Sequence, residues 1–210
     1  MIKAVIFDMD GVLIEAKDWH YEALNRALRL FGLEISRYEH LTTFDGLPTK
    51  RKLQMLSAQG NLPVDLHDFL NEMKQRYTME IVGTQCKPRF NHEYALSRLR
   101  AEGYRLAVCS NSVRDTIATM MSKAALLHYL EFFVSNQDVG KPKPDPEMYN
   151  TAIARLGLAP QECLILEDNE NGIKAARASG GHVMEIGDVA DVTYAAITAR
   201  IAECDKAAAA

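Results

Sequence analysis

Cysteine is scarce: the four in 210 residues, Cys86, Cys109, Cys163 and Cys204, lie far apart and include no Cys-x-x-Cys pair, which excludes a disulfide scaffold and argues against a zinc site. There is no excess of positive charge either. With 24 basic against 28 acidic side chains the net charge is −4, so nothing draws the chain to nucleic acid or to an anionic membrane, and any charge that binds phosphate has to be local. No apolar run approaches the ~18 residues of a membrane span, and the opening Met1 to Phe7 meets Asp8 too soon for a signal peptide. The expectation is a cytoplasmic protein with neither nucleic acid nor membrane as partner; nothing in the pattern specifies an oligomeric state. No internal repeat is present, and the closing Ala207 to Ala210 run reads as a frayed tail. What is present is 48% apolar residues, enough for a substantial core with a small appended domain.

Five short apolar runs, Ala4 to Phe7, Tyr104 to Cys109, Phe132 to Val134, Cys163 to Leu166 and His182 to Ile186, have strand length and do not alternate, as parallel strands buried on both faces require. Helical patterns at Asn91 to Glu102, Val113 to Ala124, Pro146 to Leu156 and Asn171 to Ser179 supply crossovers, so the fold class is α/β with a parallel Rossmann-like sheet. Ser112 with Asp115 reads as a capping box, Asp145 before Pro146 as a helix start, and Gly180 as a helix end. Nearly 100 residues separate the first two strands. They contain helical patterns at Lys17 to Leu30, with a Leu24, Leu28, Phe31 stripe, at Thr49 to Gln59 and at Asp65 to Ile81, which place an inserted helical domain at 15–85 between core segments 1–14 and 86–210.

Asp8-Met9-Asp10-Gly11 leaves the first strand as two acids entering a glycine turn. Carboxylates at the carboxyl end of a buried parallel strand need a cation or a positive side chain beside them, although a turn or cap role accounts for the pair equally well on its own. Ser110-Asn111-Ser112, Lys141 within Gly140-Lys141-Pro142-Lys143-Pro144, and Glu167-Asp168-Asn169 follow the next three strands; singly each reads as a cap or a loop. In the sheet order 3-2-1-4-5, equivalently 5-4-1-2-3, Asp8, Ser110 and Asp168 converge from adjacent strands at the switch point where open α/β sheets bind ligands. Cys109 reads as a core residue rather than a nucleophile.

Asp8-Met9-Asp10-Gly11-Val12-Leu13, Cys109-Ser110-Asn111-Ser112, Lys141 in its Lys-Pro-x-Pro-x-Pro setting and Glu167-Asp168-Asn169 with Gly172 resemble, in order, the four motifs of the haloacid dehalogenase superfamily. The helical insert resembles the cap of its β-phosphoglucomutase-like branch. That resemblance implies a magnesium-dependent phosphatase of a small phosphorylated metabolite. Asp8 is then the nucleophile, Asp10 the general acid and base, Ser110 and the Asn111 backbone N–H the phosphate contacts, and Lys141 the compensating cation; Asp8, Asp168, the Asp10 carbonyl and Glu167 hold Mg2+. It also implies that the cap selects substrate, closing to exclude water, through His20, the loop Gly46-Leu47-Pro48-Thr49-Lys50 and chiefly Lys50; Arg51, Lys52 and Arg76 read better as a solvated basic face.

Three alternatives are weighed against this reading. A dehalogenase has no use for Asp10 or the Glu167-Asp168 pair. A sugar-phosphate mutase shares the core residues but carries a cap arginine where Thr49 stands and differs from Val113-Arg114. A receiver-like phosphoacceptor needs neither a cap nor Asp10.

Overall fold

Ala4-Val5-Ile6-Phe7 offers no polar face to either side, and the backbone resolves this by lying at the centre of a sheet covered on both faces. The computed structural model describes residues 1–60 and 62–209. Its strands are β1 (Ala4–Phe7), β2 (Arg105–Cys109), β3 (Phe132–Val134), β4 (Cys163–Glu167) and β5 (His182–Glu185). Its helices are α1 (Lys17–Arg29), α2 (Arg37–Glu39), α3 (Thr49–Ala58), α4 (His67–Gln85), α5 (Phe90–Ala101), α6 (Arg114–Lys123), α7 (Glu147–Leu156), α8 (Glu170–Ala178) and α9 (Tyr194–Ala209). All strand pairs are parallel and the order is β3-β2-β1-β4-β5, as the strand-end chemistry requires. Phe7 stands opposite Val108 on one side and Leu166 on the other, so the residues after β1, β2 and β4 leave the sheet at one edge.

The chain divides into two compact units, Met1–Glu15 with Lys87–Ala210, and Ala16–Cys86. In the first, Ile6, Val134 and Ile165 pack against Met148, Ala152, Ile153 and Leu156 of α7 and Ala175 and Ala176 of α8. Each large side chain fully removed from water there contributes about 1.5–3 kcal/mol. In the second, Leu24 and Leu28 of α1 meet Phe44, Leu53, Leu56 and Leu70. Among the described residues no helix is long and apolar enough to cross a membrane.

Several expectations are corrected. Phe31 is not part of the α1 stripe: the helix ends at Arg29, and the ring is partly exposed with its edge on Phe69. Lys52 is buried rather than on a solvated face, because α3 turns it inward with Leu53 and Leu56. Ser112 and Asp115 form no capping box; the N-cap of α6 is Val113, which has no side-chain acceptor to offer. The alanines to Ala209 continue α9 instead of fraying, and Ala210 lies outside the described residues.

Candidate functional site

Asp8 follows β1 directly, its N–H donating to the Leu166 carbonyl at 2.9 Å, and the residue is only 8% exposed. The chain then reverses through Gly11, whose φ of +89° is natural to glycine. A Cβ at Gly11 would lie 2.1 Å from Asp168 Oδ2, so the turn closes against that carboxylate. Gly172 has the same relation to Glu167, with a Cβ 2.0 Å from Oε1. Asn169 caps α8, accepting from the Asn171 N–H at 3.0 Å, so that the neighbouring Asp168 is not spent on the helix end. Asp8, Glu167 and Asp168 each bring a carboxylate oxygen within 4.8 Å of the others.

The cation among these acids is Lys143, not Lys141. Lys143 Nζ donates to Asp8 Oδ1 and Glu167 Oε1, both at 2.6 Å, and to the Cys109 carbonyl at 2.8 Å. The Lys141 side chain is 76% exposed, with Nζ 3.9 Å from Asp145. The reason lies in how the backbone is held. The Gly140 and Lys141 N–H groups donate to the Glu147 carboxylate at 2.8 and 2.9 Å, while Asn111 clamps Lys143, accepting its N–H at 3.1 Å and donating to its carbonyl at 3.3 Å. The stretch 141–146 contains Lys-Pro-x-Pro twice, offset by two residues. Only the second occurrence carries its lysine into the site.

Tyr149, fully buried on α7, donates its hydroxyl to Glu167 Oε1, and its ring centroid lies 4.8 Å from Lys143 Nζ. Burial pushes the Asp8 carboxyl well above the ordinary range; Lys143 pulls against this, while Glu167, Asp168 and Asp10 push the same way. Burial alone would weaken the hold of Lys143 on its proton, but Asp8 and Glu167 outweigh it and keep the ammonium charged. If all four acids are ionised, the local charge is −4 + 1 = −3. An oxygen-only donor set with this surplus of negative charge fits a hard divalent cation. Cys109 is fully buried and its thiol is pushed up to about 12, so it packs and does not react.

Ser110 is buried at the end of β2, its N–H on the Val134 carbonyl and its Oγ accepting the Ser112 N–H at 3.1 Å. Ser112 Oγ donates to Asp10 Oδ2, also at 3.1 Å. Arg114 is paired with Asp138. Asp8, Asp10, Ser110, Asn111, Glu167 and Asp168 are therefore gathered in the first unit, joined by Lys143, Tyr149 and Ser112, to none of which the motif reading gave a role in the site.

His20, Gly46, Thr49 and Lys50 all belong to the second unit. His20 Nδ1 is 3.2 Å from the buried Lys74 Nζ, and His40, against the Tyr21 ring, is pushed down to about 4 by burial, with Lys52 next in effect. Gly46 takes a φ of +69° before α3, where Thr49 opens the helix half-buried. Lys50 lines a cleft of about 840 Å³ between α3 and α4, together with Ser57, Asp65 and His67. Arg76 is exposed and paired with Glu72 at 2.6 Å.

The haloacid dehalogenase-like hydrolase family matches residues 5–186. A phosphorylated carbohydrates phosphatase of Thermotoga maritima is 27% identical over 85% of this chain and 82% of its own length. A phosphoglycolate phosphatase of Nitrosospira multiformis is 31% identical over 87% and 82%. The crystal structure of β-phosphoglucomutase from Clostridium difficile superposes with a TM-score of 0.83 at 19% identity, covering 97% of this chain and 98% of that one, a likeness of fold.

Proposed function

Because the chain belongs to the haloacid dehalogenase-like hydrolase family, we propose that it is a magnesium-dependent phosphatase that hydrolyses a small phosphomonoester, a sugar phosphate or related metabolite, through an aspartyl-phosphate on Asp8. The observation that carries this reading is Asp8 itself, a carboxylate at the tip of the central strand whose Oδ1 is held by Lys143 and which clusters with Glu167 and Asp168. The relatives named as phosphatases of phosphorylated carbohydrates and of phosphoglycolate support the substrate class.

In the first step an Asp8 oxygen attacks phosphorus, the bond to the ester oxygen breaks, and Asp10 gives that oxygen a proton, so the alcohol leaves and the phosphoryl group stays on Asp8. In the second, Asp10 takes a proton from water as the water oxygen attacks phosphorus, the Asp8–phosphorus bond breaks, and inorganic phosphate leaves with Asp8 restored. Ser110 supplies a hydrogen-bond donor and Lys143 positive charge for the phosphoryl oxygens in this reading. Asp8, Asp168, the Asp10 carbonyl and an oxygen of Glu167 would hold Mg2+, which when bound offsets the charge of the carboxylates and of the transferring group.

The direct test is phosphate release from p-nitrophenyl phosphate and from a panel of sugar phosphates, with activity expected only when magnesium is supplied and lost on chelation. Isomerisation of a hexose 1-phosphate without phosphate release would instead identify a mutase. A second expectation needs no substrate. A ligand that binds only the folded state at 100 times its Kd adds about 2.7 kcal/mol, and for a protein of this length each kcal/mol moves Tm by about 2–4 °C. Saturating magnesium should therefore raise the melting temperature by about 5–10 °C, read by differential scanning fluorimetry. An unchanged Tm would count against a cation among these acids.

A further inference from the structure

Asp10 has a fixed backbone, and the rotamer of its side chain decides what its carboxylate reaches. The backbone is held by its neighbours: the Gly11 N–H donates to the Ile14 carbonyl at 2.7 Å, and the Leu13 and Ile14 N–H groups both donate to the Met9 carbonyl at 2.9 Å. An aspartate has three staggered wells about its first side-chain bond and a broad torsion about the second, and proton transfer works only from the combinations that bring the carboxylate within hydrogen-bond reach of the ester oxygen. Something must select among them.

Ser112 is placed to do so. Its hydroxyl lies 3.1 Å from Asp10 Oδ2, bridging 102 positions of sequence. Ser112 is itself anchored on both sides: its N–H donates to Ser110 Oγ at 3.1 Å and its carbonyl accepts the Asn136 N–H at 3.3 Å. It also stands one residue before the Val113 N-cap of α6, where a serine could shift to cap the helix, a bond generally worth about 1 kcal/mol. The Val113 N-cap has no side-chain bond to offer, the first helical N–H, that of Arg114, donates to Gln137 Oε1 at 2.9 Å, and the Ser112 hydroxyl points to the acid.

Resting on the phosphatase reading above, we propose that Ser112 is a positioning residue for proton transfer: by donating to Oδ2 it fixes the rotation of the Asp10 carboxyl that exchanges a proton with the ester oxygen and later with water. The proposal makes a prediction that depends on the leaving group. A sugar alkoxide is a strong base and cannot depart without a proton, whereas p-nitrophenolate departs as the anion. The parameter kcat/KM reports steps only up to departure of the alcohol, so it isolates the protonation from the later attack of water.

Ser112→Ala is expected to lower kcat/KM about tenfold for a sugar phosphate that the wild type hydrolyses, a fraction of the 10²–10⁴ that general acid catalysis supplies, and less than twofold for p-nitrophenyl phosphate. Ser112→Thr, which keeps the hydroxyl, should restore most of the sugar phosphate rate, with melting temperatures of both variants confirming an intact fold. Equal losses on the two esters would make Ser112 a merely structural residue and overturn the proposal, as would no loss on either. A wild type that hydrolyses neither ester would overturn the phosphatase reading and this proposal with it. An active wild type with an indifferent Ser112→Ala would overturn this proposal alone.

Discussion

Asp8→Asn should reduce phosphate release by on the order of 10⁵-fold, since removing a covalent nucleophile from an otherwise intact site generally costs that much or more. The amide keeps the size of the carboxylate and can still accept from Lys143, but its oxygen is too weak a nucleophile to take the phosphoryl group. The same change should leave the metal-free protein at least as stable as the wild type. Asp8 is one of four clustered acids, and burial together with Glu167, Asp168 and Asp10 works against its charge, so neutralising it relieves a strain that Lys143 only partly offsets. Steady-state kinetics and a thermal melt without metal check both halves. Activity within tenfold of wild type would remove Asp8 from the chemistry, and a collapsed melting transition would make it structural.

The second large effect separates two lysines that sit two residues apart. Lys143→Met keeps the length of the side chain but leaves Asp8 and Glu167 without the ammonium that reaches each of them at 2.6 Å. Taking one partner from a buried ion pair costs about 3–5 kcal/mol, which for a chain of this size lowers Tm by roughly 6–20 °C. Removing a preorganised donor from a site of developing negative charge costs on the order of 10²–10³ in kcat. Lys141→Met should change stability by less than about 0.5 kcal/mol, as exposed positions generally do, and leave turnover within about twofold. Parallel melts and phosphate-release rates of the two variants decide the matter, and the assignment is reversed if Lys141→Met proves the inactive one.

That pair also shows where sequence reasoning reaches its limit. The parallel strands were legible because apolar runs without alternation specify burial on both faces, whereas the strand order that makes Asp8, Ser110 and Asp168 converge came with the family resemblance rather than from the runs themselves. Strand ends moved by only a residue: Tyr104 and Ile186 fall outside β2 and β5, and Glu167 falls inside β4. The lysine was ambiguous because Lys141-Pro142-Lys143-Pro144 and Lys143-Pro144-Asp145-Pro146 satisfy one pattern in two registers. The choice between them is made by the Asn111 clamp, a contact across 32 positions that no local pattern records. Ser112 was read as a helix cap for a similar reason, since its partner Asp10 is remote in sequence. The inward Lys52 and the Tyr149 hydroxyl on Glu167 are likewise decided by packing, which overrides the usual preference of charged and phenolic groups for water.

The sheet order has a consequence for how the protein is made. The strand that leads into Asp8 is synthesised before both of its neighbours, which begin only at Arg105 and Cys163. At about 5–20 residues per second on the ribosome, β1 waits on the order of ten seconds or more for its last partner. During that interval the helices of Ala16–Cys86 can assemble from contacts close in sequence. The aspartate at the heart of the site thus emerges well before the strands that flank it, and its surroundings are completed only when β4 arrives.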